Sequence, residues 1–260
     1  MEQRPRSLPR TTTRSLKLIA LVTMFLDHAG VAVGRQLFGI SGYWTMRSIG
    51  RIAFPLFAFL LVEGFRHTRS RRKYLRNLLI FAAVSELPFD LLFWGWQDRG
   101  QGCNIFWTLA LGLLGMMAAE AVKTWLRDRP APVRGLGVLL GMLCFVILAL
   151  AADILRTDYG DWGVALIAVL YYTDALARIF PEQAPRWRLL ANALSACGIL
   201  LWMSCYDLSV GFLNESRGAA AILPLLLYSG ERGNYRLPKW FFYGFYPAHL
   251  TALLLLSRLV

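Results

Sequence analysis

The sequence predicts an all-α protein, a polytopic transmembrane helical bundle of about nine spans with a cytoplasmic N-terminus. First, 57% of the 260 residues are hydrophobic and 17% are charged, whereas a soluble domain has about 45–50% apolar and about 25% charged residues. Second, the apolar residues form runs of about 20 residues, the length that a helix needs to cross a hydrocarbon core of about 30 Å. Third, basic residues concentrate in alternate connecting segments, as membrane topology requires.

Each predicted span is an apolar run between polar segments. Residues 1–16 are basic and rich in Pro and Thr and are expected to form a cytoplasmic tail, while residues 17–260 form a single transmembrane domain. The first run is expected to remain as a span because no small-residue cleavage site follows it. In order, the spans are Lys17–Gly34, Ser48–Phe65, Tyr74–Trp96, Ile105–Trp125, Leu136–Leu155, Trp162–Phe180, Leu189–Tyr206, Phe212–Tyr228 and Trp240–Ser257.

Individual residues indicate how some spans begin, bend and end. Pro88 is expected to bend the third span, and Asn104 opens the fourth. Tryptophans such as Trp125 and Trp240 lie near span ends, where the interface favours them. The eighth span is expected to be short or partly re-entrant, because polar residues occupy its first turns: Asn214, Glu215, Ser216 and Arg217.

The distribution of positive charge gives the orientation. With the N-terminus inside, 21 of the 28 Lys and Arg residues fall in inner segments, six fall in outer segments, and Arg51 lies in a span. This bias follows the positive-inside rule across all nine spans. The net charge of +12 is therefore a topology signal, and no nucleic-acid partner is expected.

Ionisable residues lie inside the first three apolar runs. Insertion scales place the cost of an Asp, Lys or Arg at a helix centre at roughly 2.5–3.5 kcal/mol, so such residues are functional candidates. From a helical rise of about 1.5 Å per residue, His28 lies roughly 16 Å from the inner face, near the midplane. The residues expected to converge in the outer half of the membrane are Asp27, His28, Arg51, Glu86, Asp90, Asn104, Asp158 and His249.

A structural alternative exists for each candidate. A buried ion pair between Arg51 and either Glu86 or Asp90 would only fix helix packing. Asp27 could likewise be a hydrogen-bond acceptor that holds two helices together. His28 and His249 would also serve as satisfied core histidines. Because adjacent helical residues point about 100° apart, Glu86 or Asp90 is a candidate partner for His28, which would leave Asp27 to pair with Arg51.

A second group lies near the inner side. Glu63 and His67 are four residues apart on one helix face and form either an interfacial pair or part of a site. The segment Arg66–Arg76 contains six basic residues, among them Arg69, Arg71 and Arg72. It would either bind an anionic donor such as a coenzyme A nucleotide or provide only the topology signal.

The residue types limit the chemistry. A histidine with carboxylates and an arginine can act as general base, orienting groups and charge stabiliser, which suits acyl transfer or proton-coupled transport. The sequence contains no nucleophile elbow, phosphate-binding loop or metal-ligand spacing, so no metal is expected. The four cysteines show no metal spacing, and no disulfide is expected from Cys103, Cys144, Cys197 and Cys205.

Six segments resemble the TraX family in order along most of the chain. They are KLIALVTMFLDHAG (Lys17–Gly30), the stretch that begins GRIAFPLFAF and contains SELPFD (Gly50–Phe93), NIFWTLALG (Asn104–Gly112), TDYGDWGV (Thr157–Val164), LPLLLYSGERG (Leu223–Gly233) and FFYGFYPAHL (Phe241–Leu250). The family takes its name from a conjugative-plasmid protein associated with N-terminal acetylation of the pilus subunit, and it is usually grouped with membrane-embedded acyltransferases.

The resemblance implies a multi-pass protein of the bacterial cytoplasmic membrane that transfers an acetyl or acyl group from coenzyme A to an unknown envelope or pilin-like acceptor. It implies His28 as general base with Asp27 beside it, while Arg51, Glu63, Glu86, Asp90 and Asn104 fall on matching motif positions. Two alternatives stay open: a proton-coupled or anion transporter, although no internal repeat is evident, and a non-catalytic membrane assembly factor.

Overall fold

The described part of the chain is entirely helical. The computed structural model describes residues 10–177, 184–209, 215–233 and 238–260, and no strand occurs in these ranges. The helices are α1 (Thr13–Ala29), a π-helical turn (Gly30–Gly34), α2 (Arg35–Gly50), α3 (Ala53–His67), α4 (Arg71–Phe93), α5 (Ile105–Trp125), α6 (Ala131–Ile154), α7 (Gly160–Ala177), α8 (Ala184–Ser209), a 3-10 helix (Glu215–Ala221), α9 (Ile222–Leu226) and α10 (Lys239–Ser257).

Three helical stretches in the described ranges are long and apolar enough to cross a membrane: Thr13–His67, Ile105–Trp125 and Ala131–Ile154. The chain is therefore a helical membrane protein, while the count of nine spans and the orientation remain predictions. Residues 1–9 of the predicted tail, the end of the sixth predicted span and the start of the eighth lie outside the described residues.

The α6 helix faces outward along most of its length. Only 22% of its most apolar window is buried within the protein, and Leu139, Leu143, Val146 and Leu150 are exposed. Because large apolar side chains at a protein surface indicate a nonpolar environment, this helix has the composition of a lipid-facing element.

The helices begin where the sequence supplies a capping side chain. Thr12 accepts a hydrogen bond from the Ser15 amide at the start of α1, and Ser70 accepts one from the Lys73 amide at the start of α4. Asn104 accepts from the Phe106 amide at the start of α5. These side chains satisfy amide groups that a helix leaves unpaired at its first turn.

The connection between the first two predicted spans is helical rather than a loop. The π-helical turn leads directly into α2, whose backbone is interrupted only at Gly39, with φ of +68°. Glycines allow the close packing of these segments, since a Cβ at Gly30 would lie 3.0 Å from Met46 Cβ. The segment Thr13–His67 is thus a nearly continuous helical hairpin around one end of the bundle.

The eighth predicted segment extends from one end of the bundle to the other. At one end Gly218 packs so closely that a Cβ there would lie 2.9 Å from the Arg51 carbonyl oxygen. At the other end the Tyr228 hydroxyl lies 2.9 Å from Thr13 Oγ1. A 3-10 helix rises about 2.0 Å per residue, more than an α-helix, so a short segment covers this distance. We call the first the Arg51 end and the second, where Glu63 also lies, the Glu63 end. Arg51 and Glu63 are 12 residues apart, near the two ends of α3, which corresponds to roughly 18 Å.

Candidate functional site

Asp27 lies at the centre of a buried charge cluster at the Arg51 end. Arg51 Nη2 donates to both Asp27 carboxylate oxygens at 2.7 Å, and Arg51 Nη1 donates to Glu215 Oε1 at 2.8 Å. Arg47 Nη1 also donates to Asp27. Asp27 and Arg51 are only 6% and 8% exposed. Charge-assisted hydrogen bonds therefore compensate much of the cost of burying these ions.

A glycine makes the cluster sterically possible. The last residue of α2 is Gly50, and a Cβ at this position would lie 2.2 Å from Asp27 Cβ and Oδ1. No real Cβ tolerates such a separation, so the carboxylate occupies space that any other residue at position 50 would fill. The alternative pairing of Arg51 with Glu86 or Asp90 is wrong, and the pairing of Asp27 with Arg51 is the observed one.

The loop before α7 covers the cluster with a strained aromatic residue. Tyr159 has a φ of +63°, a conformation that few non-glycine residues adopt and that is often retained at functional sites. Its ring stacks on Phe54 with centroids 4.0 Å apart, and Arg51 lies 5.7 Å from the ring centroid. In the same loop, burial raises the pKa of the Asp158 carboxyl to about 6, although the nearby Arg51 charge lowers it.

His28 pairs with His249 from α10. His28 Nδ1 lies 2.6 Å from His249 Nε2, the rings are within 3° of parallel, and their centroids are 4.9 Å apart. These values place the two imidazoles side by side in one plane, the arrangement of an in-plane hydrogen bond. The sequence does not predict this histidine partner. Glu86 and Asp90 are the expected partners, and both form their hydrogen bonds elsewhere.

The hydrogen bonds fix the tautomer of this pair. His249 Nδ1 lies 2.7 Å from the Phe245 carbonyl oxygen, which can only accept, so Nδ1 carries the hydrogen. In neutral His249 the Nε2 atom is then an acceptor, and His28 Nδ1 must donate to it. His28 Nε2 is left with its lone pair, as a neutral base.

Aromatic rings surround the histidine pair. Phe93 and Tyr246 each present an edge-on contact to His28, with centroid separations of 5.5 and 5.7 Å. The Tyr246 side chain is 2% exposed, and its hydroxyl has no hydrogen-bond partner among the described residues. The histidine pair therefore lies in a largely apolar environment. It adjoins the charge cluster because Asp27 directly precedes His28 in the sequence.

Glu86 and Asp90 organise the start of α5 and the loop before it. Glu86 Oε2 accepts from Asn104 Nδ2 at 2.5 Å and from Trp107 Nε1 at 2.7 Å, while Asn104 Nδ2 also donates to the Ala82 carbonyl at 2.8 Å. Asp90 Oδ2 accepts from the Gly100 amide at 3.3 Å. These contacts form a separate group, so the predicted convergence of all eight residues is only partial.

A second polar group lies at the Glu63 end. Glu63 accepts from His67 at 3.0 Å and from Arg66 at 3.3 Å, and Arg66 also contacts Asp174 at 3.0 Å. These four residues border a cavity of about 240 Å³, which we call the Glu63 pocket.

The basic residues that the sequence suggests for donor binding follow the pocket residue His67 directly in the chain. Arg69, Arg71 and Arg72 follow His67 and are exposed. The Arg71 guanidinium lies 4.1 Å from the centroid of Phe65, a cation–π contact that holds it against the end of α3.

Sequence reasoning misses several members of these groups. The charge pattern treats Arg47 only as an outer basic residue, and Glu215 only as a polar residue that weakens the eighth span. Trp107 is predicted only as an interfacial tryptophan near a span end. Asp174 lies in the sixth predicted apolar run, so the cost of an ionisable residue there could have identified it. The partners of these residues are distant in sequence: Arg51 and Glu215 are 164 residues apart, so no local spacing pairs them.

Two comparisons with known proteins give the family. The sequence profile described as "TraX protein" matches residues 12–257. The chain is 31% identical over 259 aligned residues to the "Probable fimbrial assembly protein FimC, serogroup H1" of Dichelobacter nodosus, covering 92% of each protein. No solved structure matches. Since the profile and the relative both span nearly the whole chain, this helical membrane protein belongs to the TraX family.

Proposed function

We propose that this protein is a membrane-embedded acyltransferase that moves an acetyl or other acyl group from coenzyme A to an amine or hydroxyl of a pilin-like or other envelope acceptor. The observation that carries the proposal is the hydrogen-bonded chain from the Phe245 carbonyl through His249 to His28. It leaves His28 Nε2 as an oriented, neutral base, the state that general-base catalysis requires.

The charge cluster supplies donors for the developing negative charge. Arg47 Nε and Arg51 Nε are buried and have no hydrogen-bond partner among the described residues, and both arginines bind Asp27, the sequence neighbour of His28. Donors that are oriented before reaction and aimed at a developing oxyanion stabilise the transition state. Asp27 and Glu215 hold the two guanidinium groups in place.

The proposed reaction uses His28 twice. Its Nε2 atom takes the proton from the acceptor amine or hydroxyl as the acceptor atom attacks the thioester carbonyl carbon. The carbon–sulfur bond then breaks, and His28 passes the proton to the leaving sulfur, which yields an amide or ester and a free thiol. Arg47 and Arg51 balance the charge of the carbonyl oxygen between these steps.

The exposed arginines fit the anionic donor. Arg66 is engaged by Glu63 and Asp174, whereas Arg69, Arg71 and Arg72 are exposed and can pair with phosphates. We assign this end to the cytoplasmic side of the bacterial membrane, from the positive-inside bias. A donor held there must span roughly 18 Å, the separation of Glu63 and Arg51 along α3, to approach the cluster beside His28, which requires a long, flexible arm such as pantetheine.

One observation favours a second candidate function. The Dichelobacter nodosus relative is named as a probable fimbrial assembly protein. A non-catalytic assembly factor would use the same helices to hold a pilin-like subunit. It would depend on surface loops and would tolerate loss of the buried base.

The test is transfer of labelled acetyl from acetyl-coenzyme A by purified full-length protein to a bacterial membrane extract. His28→Ala is expected to lower the rate by roughly 10²–10⁴-fold, the contribution of a positioned base. Asp98→Ala, at an exposed carboxylate outside the site, is expected to leave the rate unchanged.

Unchanged transfer by His28→Ala would refute the role of this base. No transfer by the wild type, together with pilus assembly that survives His28→Ala but needs the chain, would favour the assembly factor. Proton-driven solute uptake into proteoliposomes, with no transfer, would instead favour a transporter.

A further inference from the structure

The Glu63 pocket lies about 18 Å along α3 from the cluster around Arg51. Its volume is about 240 Å³, and Phe59, Val62 and Leu189 form apolar parts of its wall. Arg188, Asn192 and Tyr228 add polar groups from α8 and the segment after α9. The volume is slightly below the usual range of ligand pockets, roughly 300–1,000 Å³, and suits one ring of a larger ligand.

Two polar atoms at this pocket have no hydrogen-bond partner in the described part of the chain. Asn192 is 5% exposed, and its Oδ1 atom has no hydrogen-bond donor among the described residues; Arg188 Nε likewise has no acceptor. An unpaired buried polar group costs free energy, so each such group indicates an absent partner. The missing partner must offer a donor to Asn192 and an acceptor to Arg188.

The other charged residues of the pocket are already engaged. Glu63 is bonded to Arg66 and His67, and Arg66 also contacts Asp174. These pairs balance the carboxylates near the wall. The atoms that remain for a ligand are Asn192 Oδ1, which needs a donor, and the Arg188 Nε–H, which needs an acceptor. A free anion offers only acceptors, so the two atoms together favour a planar edge that carries a donor beside an acceptor.

Adenine has such an edge. Its N6 amino group donates while the adjacent ring nitrogens accept, and an Asn side chain is a preferred partner of this edge. The apolar wall formed by Phe59, Val62 and Leu189 matches the faces of a purine ring. The exposed cations at Arg69 and Arg72, two and five residues beyond His67, match the phosphates carried by the ribose of such a nucleotide.

From these observations we infer that the Glu63 pocket binds the adenine ring of the donor's nucleotide, with Asn192 Oδ1 accepting from N6 and Arg188 Nε donating to a ring nitrogen. This inference rests on the proposed function for the identity of the donor. It gives the protein two separated parts: a recognition pocket at the Glu63 end and the reactive base at the Arg51 end.

The experiment measures binding of adenosine 3′,5′-bisphosphate and inosine 3′,5′-bisphosphate to the purified full-length protein in detergent. Inosine replaces the N6 donor with an oxygen acceptor, so the wild type is expected to bind it roughly tenfold or more weakly. Asn192→Leu is expected to weaken adenosine bisphosphate by a similar factor and to abolish discrimination between the two. The matched control is Gln101→Leu, at an exposed amide.

Two further variants protect the test against misfolding. Arg188→Met removes the proposed donor to the ring nitrogen and is expected to weaken adenosine bisphosphate binding relative to Arg258→Met, at an exposed arginine. Leu189→Trp fills the cavity without removing a hydrogen-bonding group and is expected to block binding while thermal unfolding stays close to that of the wild type.

Equal binding of the two nucleotides by the wild type, or unchanged binding by both Asn192→Leu and Leu189→Trp, would overturn this inference. The outcome is separable from that of the proposed function. Acyl transfer that depends on His28 but not on Asn192 would leave the enzyme intact and place the nucleotide elsewhere. Adenine-selective binding without any transfer would retain the pocket and refute the acyltransferase.

Discussion

Replacement of Gly50 by alanine tests how strictly the buried carboxylate is held. In the wild-type structure a Cβ at position 50 would lie 2.2 Å from both Cβ and Oδ1 of Asp27. Ordinary contact begins near 3.4 Å, so the carboxylate must retreat by about an ångström or more. The 2.7 Å bonds from Arg51 Nη2 to the carboxylate do not survive a displacement of that size.

The magnitude follows from two opposing contributions. Alanine in a helix is favoured over glycine by at most about 1 kcal/mol. Loss of a partner from a buried ion pair costs about 3–5 kcal/mol, and relaxation recovers part of it. We expect Gly50→Ala to lower the free energy of unfolding by about 2–4 kcal/mol, which corresponds to a fall in melting temperature of roughly 5–10 °C.

The measurement is thermal unfolding of the purified protein in detergent, with acyl transfer recorded in parallel. Gly198→Ala is the matched control, because Gly198 lies within α8 and a Cβ added there would meet no atom within 4 Å. It is expected to gain up to about 1 kcal/mol from helix propensity. If Gly50→Ala were as stable as Gly198→Ala, the steric account of the Asp27 cluster would be refuted.

Three further predictions test separate contacts. His249→Phe removes the acceptor of His28 and is expected to lower the transfer rate by roughly 10²-fold or more. His249→Gln keeps an acceptor and should restore part of the rate. Equal transfer rates for these two variants would contradict the tautomer assignment. Burial raises the pKa of Asp158 to about 6, so the folded state binds the carboxyl proton more tightly than the unfolded state does. The free energy of unfolding should therefore fall as pH rises from about 4 to 6. Asp158→Asn should flatten this slope in pH-dependent melting, and an unchanged slope would contradict the assignment to Asp158. Glu86→Ala leaves the Trp107 donor and one of the two Asn104 Nδ2 hydrogens unpaired and is expected to lower the free energy of unfolding by about 2–4 kcal/mol, whereas Trp107→Phe should lower it by about 1 kcal/mol. Equal losses in the two variants would show that Glu86 does not anchor α5.

The sequence identifies which residues matter more readily than how they combine. Asp27, His28, Arg51 and Glu86 stand out because an ionisable side chain in an apolar run is costly and needs a reason. The pairing of Glu63 with His67 is also accessible, since residues four apart share a helix face. The partner of His28 cannot be predicted in this way, because His249 is 221 residues away.

Helix bounds are predicted best where composition changes sharply. The predicted fourth span Ile105–Trp125 has the observed bounds of α5, because Asn104 supplies a cap and a polar segment follows. The helical connection through α2 is not predicted, since Gly39 and the mixed composition of this segment resemble a loop. The close packing of Gly30 against Met46 of α2 is a tertiary effect.

The amino-acid sequence by itself determined the helical membrane class, the family and the set of costly polar residues, because each depends on local composition or on motifs read in order. Tertiary structure alone decided that Asp27 pairs with Arg47 and Arg51, that His28 pairs with His249, and that Asn192 borders a pocket with an unpaired oxygen. The physical reason is that partner choice depends on how each helix is rotated about its axis and on its depth beside its neighbours. Hydrophobic runs constrain depth only loosely and do not specify rotation.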